Sequence, residues 1–113
     1  VTTNLFGDII SDLCAGLVGG LGLAPGANIG EKAAMFEAVH GSAPDIAGRR
    51  IANPCALLLA AAQMLEHMNQ HDQARRLRMA IGSAIQQGDR TTPDLGGHGT
   101  TEAFADAICD RLR

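Results

Sequence analysis

From Asn53 to Met68 the chain reads Asn-Pro-Cys-Ala-Leu-Leu-Leu-Ala-Ala-Ala-Gln-Met-Leu-Glu-His-Met, an apolar run opened by an Asn and a Pro. Asn is a favoured N-cap because its short side chain accepts a hydrogen bond from a first-turn N–H that has no partner inside the helix. Pro suits the first helical position, where its missing N–H removes nothing the helix needs. The spacing predicts a helix from Cys55 to Met68 with Leu57, Leu58, Leu59, Met64 and Leu65 spread around nearly its whole circumference. A helix without a polar face is buried on most sides. A chain of 113 residues has few elements to bury it, so this run implies either further sequence or a subunit interface.

The other elements follow from periodicity and turn chemistry. Val1 to Thr3 reads as the end of a strand, and Asn4 to Gly7 as a turn. A β-branched start with no initiator Met is what a fragment of a longer chain would show. Asp8 to about Val18 reads as a helix with Ile9, Leu13 and Leu17 on one face, while Gly19 to Gly30 reads as a glycine-rich turn region. Ala33 to Val39 is a short apolar run that fits a buried strand or a single helical turn. It leads into His40 to Asn53, which Gly41, Pro44 and Gly48 keep out of regular structure. Asp72 to Gln87 is a helix with Leu77, Ala80, Ile81, Ala84 and Ile85 inward, Arg75, Arg76 and Arg78 outward, and Gly88 as its C-terminal cap. Thr91 to Thr100 is a Pro/Gly turn region. Thr101 opens a last helix with Ala103, Phe104, Ala107, Ile108 and Leu112 as its apolar stripe.

Composition removes several function classes. The net charge is -3 and no basic run occurs, which argues against nucleic acid as a partner. Three Phe, no Tyr and no Trp leave no stacking platform for bases or sugars. The longest apolar run is too short to span a bilayer, so no membrane association is expected. Cys14, Cys55 and Cys109 are odd in number and form no CxxC; each reads as a buried free thiol of a reducing compartment. The expected location is cytoplasmic, or the mitochondrial matrix in a eukaryote.

Asp8 and Asp12 are the first candidate site. Spaced i,i+4, they project from one helix face and either bind a hard cation through oxygen or are two solvated acids near a helix start, where the dipole favours negative charge. The glycine tract is no dinucleotide fingerprint: after Gly20 and Gly22 the third glycine position is Pro25, and a helix rather than a strand precedes it. It is no Walker A loop either, since Gly-Lys-Ser/Thr is missing. His67 and His71 lack the Glu that would follow the first His in a metalloprotease motif and read as a solvent-exposed pair. Ser11 and Ser42 have no local His-Asp partners. Asp45, in a loop after a strand, either accepts hydrogen bonds from both hydroxyls of an adenosine ribose or serves as an ordinary Pro-Asp turn residue.

Taken together, Asn4-Leu-Phe-Gly-Asp-Ile-Ile-Ser-Asp12 with the following glycines, and His40-Gly-Ser-Ala-Pro-Asp-Ile-Ala-Gly48 with Asn53-Pro54, resemble the C-terminal third of the β-decarboxylating dehydrogenases, the isocitrate, homoisocitrate, 3-isopropylmalate and tartrate enzymes. The resemblance covers essentially the whole chain as a single segment, 1–113. It implies an α/β class, here the C-terminal fragment of an isopropylmalate dehydrogenase-like fold, with mostly helices and one or two strands. It implies that Asp8 and Asp12 help to hold Mg2+ or Mn2+, completed by an upstream Asp of a partner subunit in a homodimer with shared active sites. It implies that His40, Gly41, Ser42, Ala43, Asp45, Ile46 and Asn53 bind the adenosine part of the cofactor. Relatives that use NADP tend to carry Lys-Tyr where this chain has Asp45-Ile46, so NAD is expected. The tract Leu23-Ala-Pro-Gly-Ala-Asn-Ile-Gly30, with Thr92 to Gly97 and Thr101 to Phe104, resembles the isocitrate and homoisocitrate branch.

The expected activity is metal-dependent oxidative decarboxylation of isocitrate, a 2-hydroxy polycarboxylate, with homoisocitrate or 3-isopropylmalate as alternatives. The family's Tyr and Lys proton shuttles and its Arg cluster have no counterpart here; the chain has no Tyr, and Lys32 stands in a different context. A non-catalytic regulatory subunit or interaction module, or a helical scaffold without a ligand, are the readings from other classes.

Overall fold

The computed structural model describes all 113 residues as four helices, a two-stranded sheet and three one-turn 3-10 helices. Helix α1 spans Asn4–Leu17, strands β1 and β2 span Pro25–Ile29 and Ala34–Ala38, and helices α2, α3 and α4 span Cys55–His67, His71–Gln87 and Thr101–Asp110. The single-turn helices are Leu21–Leu23, Pro44–Ile46 and Pro93–Leu95. The mostly helical α/β expectation, with two strands, is what the chain adopts.

Helix α1 begins one turn earlier than its sequence suggested. Thr3 is extended and its carbonyl accepts the Gly7 N–H at 2.8 Å, so Asn4 to Gly7 are the first turn of the helix and not a turn before it. Propagation adds a hydrogen bond for each residue fixed, which offsets the cost of about 1 kcal/mol for one glycine. Asp8 and Asp12 therefore lie beyond the first turn, which contains no acid, and the dipole gives them little. Val1 to Thr3 form no strand. The helix ends where Gly19 and Gly20 take φ of 112° and 105° and the Gly20 N–H returns to the Ala15 carbonyl at 2.8 Å. Ala15 is its sole buried residue, leaving Leu5, Phe6, Ile9, Ile10, Leu13 and Leu17 exposed.

The glycine-rich tract is also more ordered than its composition implied. Pro25–Ile29 pairs antiparallel with Ala34–Ala38 in the register Pro25 to Ala38, Ala27 to Phe36 and Ile29 to Ala34. Along β2, Ala34, Phe36 and Ala38 are half-buried while Met35 and Glu37 face outward, the alternation of a strand with one covered face. The hairpin packs on α2, with the Phe36 ring 5.6 Å from that of His67.

At the start of α2 the Asn53 side-chain oxygen accepts the Cys55 N–H at 2.9 Å, the expected capping bond. The helix is less enclosed than its composition predicted. Cys55, Ala56, Ala60 and Ala62 are buried, but Leu57 is 60% exposed and Met64 40%. Helix α3, the hairpin and the Leu21–Leu23 turn pack around it, and the apolar stripe of Leu57 and Met64, seven residues apart, is left uncovered. Helix α3 ends at Gly88 in the left-handed conformation, and the Thr100 hydroxyl caps α4 by accepting the Ala103 N–H at 3.1 Å. Cys55, Ala80, Ile81, Ala84, Phe104 and Ile108 form the core where α2, α3 and α4 meet, with Leu58, Leu59, Leu77 and Ile85 around it. Of the three thiols expected to be buried, Cys55 is; Cys14 and Cys109 are exposed, because each lies on a helix face that no element of the chain covers. Arg75 and Arg78 pair with Asp72 and Glu66, and Arg76 donates to the Leu112 carbonyl, so this basic face is laced to its surroundings.

The long loop between β2 and α2 is tied to α4. The Thr101 N–H donates to the Arg50 carbonyl at 2.9 Å, the Thr101 hydroxyl to the Ala52 carbonyl at 2.6 Å, and Arg50 Nε to Glu102 Oε1 at 2.8 Å. Arg50 holds a left-handed φ of 57° in doing so. The hydrogen bond from Arg50 holds the Glu102 carboxyl below its ordinary value of 4.5.

Truncating Phe104, fully buried at the three-helix junction, to Ala should cost about 3–5 kcal/mol, read from the midpoint of urea unfolding. Because the folded pKa of Glu102 is depressed, its contribution is present above 4.5 and lost as pH falls through the lowered value. Thermal melts of Glu102→Gln should therefore decline less steeply than wild type on acidification below pH 4.5.

Candidate functional site: a cleft beside the loop from residue 40 to 53

Loop 40–53, the Leu21–Gly22 turn and the segment from Pro93 to Glu102 enclose a cleft of about 850 Å³, within the range of small-molecule and cofactor sites. Its loop wall contains His40, Gly41, Ser42, Ala43, Ile46 and Asn53, six of the seven residues expected to contact a cofactor. Four features build this wall from local chemistry. His40 Nδ1 lies 2.9 Å from the Gly41 carbonyl, which can only accept, so the bond requires the proton on Nδ1. Ala43 takes a left-handed φ of 46° and turns the chain into the Pro44–Ile46 helix. Ile46 and Ala47 supply apolar lining, and Arg50 reaches across to Glu102.

Asp45 is the seventh, and it does not line the cleft. In a 3-10 turn successive side chains point about 120° apart. With Ile46 directed to the wall, Asp45 is aimed elsewhere, exposed between two wall residues, Ala43 and Ile46.

The opposite wall was not found from sequence. Asp94 Oδ2 accepts a hydrogen bond from Asn53 Nδ2 at 2.8 Å, and Glu102 and Thr101 stand beside it. The orientation of the Asn53 amide is fixed by its partners: Cys55 N–H can only donate and the Asp94 carboxylate only accepts, so oxygen faces the helix and nitrogen faces Asp94. A signal did exist, since Pro93-Asp94-Leu95 repeats the Pro-Asp-apolar pattern of Pro44-Asp45-Ile46 and forms the same one-turn helix. What the sequence lacked was the fold that carries residue 94 to residue 53.

Cys55, under the capping bond, is no nucleophile. Burial, and secondarily the charge of Asp94, push its thiol up to about 12.

Asp8 and Asp12 are exposed on the outer part of α1 and line no part of the cleft. One helical turn separates them, so two oxygen donors share a face. No cluster of three or more His, Cys, Asp or Glu assembles around them or anywhere else in the chain.

The sequence matches the isocitrate/isopropylmalate dehydrogenase family over residues 1–108. It is 58% identical over 113 residues to the isocitrate/homoisocitrate dehydrogenase of Thermus thermophilus, covering 100% of this chain and 34% of that protein. It is 54% identical over 112 residues to the 3-isopropylmalate dehydrogenase of Archaeoglobus fulgidus, covering 99% of this chain and 34% of the relative. Among solved structures it is similar to the isocitrate dehydrogenase from Methylococcus capsulatus, with a TM-score of 0.94 and 59% identity over 100% of this chain and 34% of that one. The chain thus spans about a third of the length of these relatives. Its sequence over residues 1–108 and its fold together make this chain a member of the isocitrate/isopropylmalate dehydrogenase family.

Proposed function

We propose that this chain is the cofactor-binding, metal-contributing segment of an NAD-dependent dehydrogenase that oxidises and decarboxylates isocitrate, with homoisocitrate as the next candidate. The observation that carries the reading is the convergence of His40, Gly41, Ser42, Ala43, Ile46 and Asn53 on one wall of a single cleft. The residues fit an adenosine moiety: backbone at Gly41 allows close approach, Ile46 offers an apolar surface to a base, and Asn53 a polar edge. Asp45 adjoins this wall in sequence but is aimed away from it; with its side chain turned toward the cleft, its carboxylate would accept from ribose hydroxyls and repel a 2′-phosphate.

The donor set at Asp8 and Asp12 fits a hard divalent cation, Mg2+ or Mn2+, which favours carboxylate oxygen. Two ligands do not complete such a site, and the remainder would come from an upstream Asp of a partner subunit. When bound, such an ion supplies Lewis-acid polarisation of the substrate's 2-hydroxyl and carboxylate. The chain's own carboxylates hold their places on a helix, where backbone hydrogen bonds limit their movement. The large apolar exposure along α1 and at Leu57 and Met64 marks faces that further sequence or a partner subunit covers in the full-length protein. The natural relatives are named for isocitrate, homoisocitrate and 3-isopropylmalate at 54–58% identity. The tract Leu23 to Gly30 favours the isocitrate and homoisocitrate branch over 3-isopropylmalate and does not separate the first two.

In the full-length protein, Asp8→Asn should weaken Mg2+ binding at least ten-fold and leave NAD binding unchanged by calorimetric titration. Asp45→Lys should move the NAD/NADP affinity ratio at least ten-fold toward NADP, about 1.4 kcal/mol; an unchanged ratio removes the ribose role of Asp45. The 113-residue chain alone should form no NADH from isocitrate. Absorbance growth at the NADH band would refute the dependence on upstream proton-transfer groups.

A further inference from the structure

Loop 40–53 is fastened at its two ends and by no hydrogen bond between them. At the entry the Val39 N–H donates to the Ala24 carbonyl at 3.3 Å. At the exit the Arg50 and Ala52 carbonyls accept from Thr101, and Asn53 is held by Cys55 and Asp94. The hydrogen bonds of residues 41–49 are all local: Ile46 N–H to Ala43, Ala47 N–H to Pro44, Arg49 N–H to Ile46, and His40 to the Gly41 carbonyl. A segment tied to itself alone belongs to the low end of local stability. Ala43 and Gly48, with left-handed φ of 46° and 76°, are the points about which it turns.

One side chain of the loop does cross the cleft. Arg50 Nε donates to Glu102 Oε1 at 2.8 Å and joins the loop wall to the α4 wall. The two side chains are 65% and 53% exposed, which places the pair at the solvent edge of the cleft and not on its floor. Arg50 holds this bond from a left-handed φ of 57°. A long side chain keeps that conformation only where its contacts impose it. The contacts are the ion pair and the bond from the Thr101 N–H, and both lead to the first turn of α4. An exposed pair contributes little by itself, and its release relaxes a strained residue. The latched and released arrangements therefore lie close in free energy.

We infer that the Arg50–Glu102 pair is the latch of a gate at the mouth of the cleft, with residues 41–49 as the part that moves; the inference rests on the cofactor reading above. When latched, the guanidinium bridges the two walls, and a dinucleotide enters or leaves only when it lets go. The pair joins two groups of the protein itself, so it restrains entry as much as departure. Its loss acts on both rates and leaves their ratio nearly fixed. That separates a latch from a residue that contacts the ligand, whose loss acts on departure.

The test is stopped-flow fluorescence of NADH with the full-length protein. Glu102→Gln keeps the shape of the side chain and removes its charge. It should raise the association and dissociation rate constants together, each about three-fold, the scale of one exposed ion pair, with Kd moving less than either. Arg50→Gly, which removes the guanidinium and the strain at once, should do the same. Salt tests the latch without a variant: from about 0.05 to about 0.5 M KCl, screening should raise the wild-type dissociation rate constant by a similar factor. That rise should vanish in Glu102→Gln. Rates unmoved by Glu102→Gln overturn the inference. So does a faster dissociation alone with Kd rising in step, the mark of a lost ligand contact, and so does a wild-type dissociation rate indifferent to salt. If wild type binds no NADH, the cofactor reading of the cleft falls and the gate with it. Rates that fail to move in a protein that does bind NADH remove the gate alone.

Discussion

The side chain of Asn53 is the joint on which the cleft of this molecule depends. Its oxygen satisfies the first helical N–H of α2, and its nitrogen binds the carboxylate of Asp94 from a segment 41 residues away. The two bonds constrain each other, because an amide has one acceptor end and one donor end. Fixing the start of α2 in this way sets the exit of loop 40–53, and the carbonyls of Arg50 and Ala52 are then in place to receive Thr101. The cleft is the space left between a loop and a C-terminal segment tied at these points. The charged partners matter less for energy than for direction. Arg50 and Glu102 are both largely exposed, and such a pair contributes little to stability, but it closes the cleft on the side of α4.

The other half of the chemistry has no such joint. Asp8 and Asp12 sit on a helix that buries only Ala15 and packs chiefly on the Leu21–Leu23 turn. Their mutual placement comes from helical periodicity and needs no tertiary contact, while everything that would turn two carboxylates into a cation site must come from outside the 113 residues. The same helix exposes six large apolar side chains, from Leu5 to Leu17. Exposed apolar area on this scale marks surfaces that are covered in the functional state.

The legible parts of the fold were those with a strong local signal. The Asn-Pro start of α2, the 3.6-residue stripes of α3 and α4, and the left-handed Gly88 all stood where periodicity and capping chemistry put them, since each depends on residues a turn or two apart. Two elements were misjudged for one reason. Asn4, Gly7, Gly26 and Asn28 have weak preferences for regular structure, yet Asn4–Gly7 are helical and Pro25–Ile29 is a strand. Helix propagation overrides weak propensity in the first case and pairing with β2 in the second. Burial was misjudged at Cys14 and Cys109 because apolar neighbours in sequence do not say whether another element arrives to cover them.

The sequence by itself determined the family, the helical spacing of Asp8 and Asp12, and the loop whose residues wall the cleft, because motif order and local periodicity are properties of neighbouring residues. Only the tertiary structure decided that Asp94 meets Asn53, that Glu102 meets Arg50, and that Asp45 turns out of the wall its neighbours form. The first two are contacts between segments about 40 to 50 residues apart, set by how α2, α3 and α4 pack around Phe104. The third is a side-chain direction set by one 3-10 turn, which no residue pattern specifies without the backbone angles that Ala43 adopts.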